Sequence, residues 1–176
     1  LTPIRPILLP LLLLLPGAAR ADEAALRVAP PPPYAAAPVE PRAPQTSRFA
    51  VGRPGAAAPD CQVAFVPAPP RDRQIDQATL NNLAASPAWQ KLERTRLATV
   101  YEVLRETTVE QDGVTGLRLV AKLRPQTGVP GDSRAAFTIL ETPLGRTTTV
   151  CAAPAAEFIR REAEFDAVAR GVSPPR

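Results

Sequence analysis

The chain has 176 residues, a formal net charge of +4, 23 prolines, two cysteines and no histidine or methionine. Without histidine there is no Ser-His-Asp or Cys-His catalytic pair, no imidazole metal ligand and no side chain whose ordinary pKa lies near neutrality. Residues 60–168 carry 13 Lys/Arg against 14 Asp/Glu, so the basic excess lies outside the part expected to fold. That placement argues against nucleic acid as a partner, because phosphate binding needs positive charge on the folded surface.

Lysine occurs only at Lys91 and Lys122, while Pro, Ala and Arg are heavily used, a bias typical of a GC-rich bacterial genome. The length suits one domain with tails.

Residues 1–21 read as a signal peptide. Arg5 supplies the positive start, Ile7 to Leu15 a short apolar run, and Pro16-Gly17 a break. Ala19-Arg20-Ala21 offers small residues before a cleavage point at Asp22. The apolar run falls short of the roughly 20 residues a membrane span needs. The expected protein is therefore periplasmic or secreted, with no membrane span after cleavage.

Residues 22–59 contain nine prolines, four of them consecutive at Pro30 to Pro33. Too little apolar area is present to offset the entropy of ordering, which predicts a disordered Pro/Ala-rich linker of polyproline II character. Tyr34 beside the proline run is a candidate contact for a proline-recognising groove; a plain envelope spacer is the simpler reading, because composition alone is compatible with it.

A domain is expected over 60–170. Cys61, Val63 and Phe65 alternate in a short strand. Ile75, Leu80 and Leu83 turn helical. Ser86 and Pro87 restart the helix as N-cap and first helical residue. Trp89, Leu92, Val100 and Leu104 form an interrupted stripe that favours helix to about Leu104. The β-branched residues of 98–109 leave a strand as the alternative there, turning at Gln111-Asp112-Gly113.

Strands follow at Val114–Leu123, Arg134–Thr142 and Arg146–Ala152, and a last helix starts after Pro154 and stops near Gly171. The predicted class is α+β: a small antiparallel sheet of three to four strands covered by one or two helices, with a C-terminal helix. Residues 171–176 are expected to be a disordered tail.

Export makes Cys61 and Cys151 a predicted disulfide, since an even cysteine count at distant positions in an oxidising compartment favours a bridge.

Three groups of side chains are candidates for chemistry. Glu102 and Glu106, with Glu110 and Asp112 behind them, would share a face if helical, as an acid–base pair must. Asp60, Asp72 and Asp76 offer oxygens without the glycine and spacing of a calcium loop, so no metal is expected. Arg118, Lys122 and Arg146, with the Arg160-Arg161 pair nearby, would form a shallow basic strip for a peptide or polyanion.

The resulting expectation is an exported, non-enzymatic envelope protein, a binding or scaffolding module without a cofactor. Its partner would be an envelope protein or polymer. The alternative is a hydrolase or transferase built on the acids of Glu102 to Asp112. No motif specifies the ligand or the oligomeric state.

Overall fold

The computed structural model describes residues 25–125 and 132–176. The predicted signal peptide, residues 1–21, lies outside the described residues, as does most of the predicted loop between Arg124 and Arg134. In chain order the strands are β1 (Arg27–Val28), β2 (Ala35–Pro38), β3 (Ser47–Gly52), β4 (Cys61–Pro67), β5 (Tyr101–Gln111), β6 (Val114–Leu123), β7 (Ser133–Thr142), β8 (Gly145–Pro154) and β9 (Val172–Ser173). The helices are α1 (Gln77–Ala85), α2 (Pro87–Leu97) and α3 (Ala155–Arg170), with one 3-10 turn at Asp72–Gln74.

Strands β2 to β8 form one antiparallel sheet in the order β2-β3-β4-β8-β7-β6-β5, and β1 pairs with β9. The expected sheet of three to four strands is therefore too small. Two of the missing strands come from the proline-rich segment. Phe49 and Val51 of β3 face Val63 and Cys61 of β4 in register, and Val51 is fully buried. The apolar content of that segment is low, but β4 supplies the backbone hydrogen bonds and surface that it lacks alone. Its prolines fall in the turns and connections between strands, apart from Pro38, which ends the edge strand where a missing N–H does no harm.

The remaining extra strand is β5. Residues 101–111 are strand, and the helix expected to run to Leu104 stops at Leu97. The hairpin turn Asp112-Gly113 has φ of 52° and 75°, the positive values that two-residue hairpins require.

Alternation along the strands makes two cores. On one face Phe158, Phe165 and Val168 of α3 cover Val51, Cys61, Val63, Val120 and Ala136. On the other, Ala84 of α1 and Trp89 of α2 cover Leu117, Leu119, Ala135, Phe137 and Ile139. Ser86 caps α2 as expected, accepting from the Trp89 N–H at 3.3 Å, and Asp76 caps α1, accepting from the Thr79 N–H at 2.7 Å. The predicted α2 stripe is shifted, because Leu92 is 47% exposed whereas Glu93 is 2% exposed.

The C-terminal residues are packed, which corrects the expectation of a loose tail. Val172 is fully buried, and the Thr142 hydroxyl donates to the Pro175 carbonyl at 2.7 Å. Gly145 turns β7 into β8 at φ 150°, and a Cβ there would meet the Val66 carbonyl and Pro67.

Cys61 and Cys151 are direct partners in the β4–β8 register. They form a disulfide with Cα atoms 4.0 Å apart and 90 residues between them in sequence.

Candidate functional site

Among the described residues the sheet has two free edges. β2 is four residues long and ends in proline, whereas β5 has 11 residues. α3 lies across the sheet near the β5 edge without closing on it. Phe158 and Phe165 anchor the helix further inward, and the gap beside β5 is a groove of about 390 Å³. Thr107 and Val109 of β5 and Thr138 of β7 line it on the sheet side, and Asp166, Ala169 and Arg170 line it on the helix side.

Ionic contacts hold the groove open at one end. Arg118 of β6 donates through Nε to Asp166 at 2.5 Å, and its Nη2 lies 3.2 Å from Glu162. Arg105 of β5 reaches the same Glu162 carboxylate. At the other end the Gln111 side chain donates to the carbonyls of Ala169 at 3.3 Å, Arg170 at 3.1 Å and Val172. The Ala169 and Arg170 carbonyls belong to the last turn of α3 and the Val172 carbonyl to β9, so Gln111 ties the helix terminus and the residues after it to β5.

Two further concavities lie on the opposite face. One, about 500 Å³, is the half of the sheet that α1 and α2 leave bare, floored by Gln62, Ala64, Thr148 and Val150. The other, about 520 Å³, lies between Ile75, Leu80, Leu83 and Trp89 and the charged pair Glu141 and Arg146.

The predicted basic strip is divided between the two faces. Arg118 pairs in register with Thr138, and Lys122 with Arg134, on the α3 side. Arg146 lies on the other face, bonded to Glu93 of α2 at 2.9 Å and, through Nε, to Glu141 at 2.6 Å. Lys122 stands 3.7 Å from Asp132. All three cations are thus engaged with acids.

The carboxylate pair is also divided. A bulge between Val103 and Arg105 shifts the register by one, and one extra residue reverses every later side chain. Glu102 pairs with Lys122 on the α3 side, and Glu106 pairs with Leu119 on the α2 side. Glu106 there takes a hydrogen bond from Arg94 at 2.6 Å. Glu110 is exposed and Asp112 sits in the hairpin turn. Asp60, Asp72 and Asp76 serve separate local roles: Asp60 pairs with Arg161 at 2.9 Å, Asp72 stands 3.4 Å from Arg71, and Asp76 caps α1. Among the described residues no cluster of acids has the spacing of a metal site.

The most elaborate polar cluster was not legible as a unit in the sequence. Arg161 of α3 is 6% exposed and lies 4.8 Å from the Phe165 ring centroid. It donates to the Tyr34 hydroxyl at 2.7 Å and to Glu157 at 2.6 Å. Tyr34 donates onward to Glu164 at 2.6 Å. Burial works against the Arg161 cation, but its bonds to Tyr34, Asp60 and Glu157 outweigh it and raise its pKa. Burial and the bond to the Glu164 carboxylate raise Tyr34, and that same bond lowers Glu164. The Glu157–Arg161 spacing of four was the one visible sign; Tyr34 and Asp60 come from distant strands and loops. In both this cluster and the Glu93–Arg146–Glu141 group each arginine is shared between two or more acids, an arrangement that fixes packing.

No protein-family model matches the chain, and no curated protein matches it by sequence. Among solved structures it is similar to PA94, a protein of unknown function from Pseudomonas aeruginosa. That match has 8% identity over 78% of this chain and 79% of the other, with a TM-score of 0.44. It is also similar to cyanobacterial PsbP from Synechocystis sp. PCC 6803. Here the identity is 11% over 90% of this chain and 97% of the other, with a TM-score of 0.47. Neither likeness bears on function.

Proposed function

We propose that the chain is an exported, non-enzymatic module that binds a partner in the cell envelope through the groove between α3 and β5. The observation that carries this reading is the stand-off of helix from edge strand. Gln111 and the Arg118–Glu162–Asp166 bonds hold both ends, so the open floor between them is built into the fold. A preformed concavity beside an unpaired strand suits docking. Export is supported by the tripartite pattern of residues 1–21 and by the buried disulfide, which belongs to an oxidising compartment. Among the described residues no helix is long and apolar enough to cross a membrane. The carboxylate-enzyme alternative loses its pair, because Glu102 and Glu106 leave opposite faces of the sheet.

The test is affinity capture from envelope extract with the full chain and with Thr107→Trp side by side. Thr107 is exposed on the groove floor, and tryptophan is a good strand residue, so the variant fills the groove without disturbing the core. The expected result is a protein retained by wild type and lost by the variant. Equal retention by both, or none by either, overturns the reading.

A further inference from the structure

We propose that the occupant of this groove is an extended peptide of another protein, added as an eighth strand along β5, with basic and apolar side chains in alternation. The proposal rests on the groove reading above and specifies its partner.

The backbone supplies the first argument. Antiparallel pairs alternate between those that exchange hydrogen bonds and those that do not. Gln111 and Val114 close the two-residue turn as an exchanging pair. Counting back from it, Thr107 and Val109 direct N–H and C=O to β6. Glu106, Thr108 and Glu110 direct theirs outward, to the free edge. The bulge lies before this stretch, so its outer row is regular. An extended chain laid along it meets three residues with matched donors and acceptors.

The side chains supply the second. By register Glu106, Thr108 and Glu110 fall on the α2 side and Thr107 and Val109 on the groove side, with Glu110 also at the rim of the groove. A peptide residue shares the face of the residue it opposes. Residues opposite Glu106 and Glu110 therefore meet carboxylates, while those opposite Thr107 and Val109 meet a small, partly apolar floor closed by Ala169. Glu106 already has Arg94, but Glu110 has no charged partner among the described residues. The complement is a basic residue at Glu110 and apolar residues entering the groove.

Charge also disfavours a second copy of this chain as occupant. Two β5 strands paired about Thr108 set Glu106 against Glu110 twice, and like charges directly opposite destabilise a pair.

The probe is an eight-residue, end-blocked peptide of alternating valine and lysine carrying a fluorophore, titrated with the full chain. Saturable binding is expected, with slowed amide exchange at Glu106, Thr108 and Glu110. Thr108→Pro removes an outward N–H that the β6 ladder does not use, together with the hydroxyl that accepts from Gln90 at 3.4 Å. It should weaken the probe by about tenfold, the worth of a main-chain hydrogen bond and its neighbour. Glu110→Lys should weaken it by about fivefold while leaving the backbone untouched, and it serves if Thr108→Pro fails to fold.

No saturable binding to wild type, unchanged affinity in both folded variants, or protection confined to β2 overturns the proposal. So does a concentration-dependent dimer that protects β5 without peptide. If Thr107→Trp abolishes capture from extract while Thr108→Pro does not, the groove stands and strand addition falls.

Discussion

Tyr34 and Arg161, 127 residues apart, meet through a hydrogen bond of 2.7 Å from guanidinium to hydroxyl. The contact joins the end of the proline run to the middle of α3. It makes the N-terminal segment part of the body and gives the buried guanidinium one of the partners it needs.

Tyr34→Phe keeps the ring and removes both bonds. We predict a loss of about 1 to 3 kcal/mol in urea unfolding, the range for hydrogen bonds to charged groups. A change within error would mean that Asp60 and Glu157 suffice for Arg161.

Glu93 is the second test of a buried charge. It is 2% exposed and accepts from Arg146 on β8 and, at 2.5 Å, from Arg96 on its own helix. Glu93→Ala should cost about 3 kcal/mol, since it leaves Arg146 partly buried with Glu141 alone. A double-mutant cycle with Arg146→Ala should show strong coupling, and additive losses would refute a direct contribution.

Two carboxyls should shape the pH dependence in opposite senses. Burial raises the pKa of Glu141 above the ordinary 4.5, despite the attraction of Arg146. The folded state then holds this proton more tightly than the unfolded state does. Its contribution is complete below 4.5 and is lost as pH rises through the folded pKa. The hydrogen bond from Tyr34 lowers Glu164, so its contribution is present above 4.5 and disappears as pH falls through the folded value. Urea midpoints from about pH 3 to pH 7 should show Glu141→Gln removing the high-pH decline and Glu164→Gln the low-pH loss.

The disulfide spans 90 residues. Replacing both Cys61 and Cys151 with alanine should destabilise the chain by about 2 to 5 kcal/mol. Chain recovered from its native host should titrate with no free thiol under denaturing conditions; two free thiols would remove the main support for export.

Local signals in the sequence carried the elements from Cys61 onward. Ser86 and Pro87 mark a helix start because capping uses neighbours within one turn. The alternation in β6 to β8 and the Asp112-Gly113 turn were equally readable, and so was the pairing of two cysteines with no other choice. Strand or helix at 98–109 stayed open, because its stripe and its β-branched residues argued opposite ways.

Only tertiary structure decided the rest. Phe49 and Val51 become strand because β4 lies beside them, and a segment's composition does not report its neighbours. One bulged residue near Leu104 separated Glu102 from Glu106, and parity separated Arg146 from Arg118, so side chains grouped by sequence spacing parted in space. The groove exists because α3 is anchored by Phe158 and Phe165 away from the sheet edge, a distance set by packing between remote parts of the chain. Sequence alone thus determined what each stretch prefers locally, while contacts between distant residues determined which faces are covered and which remain free to bind.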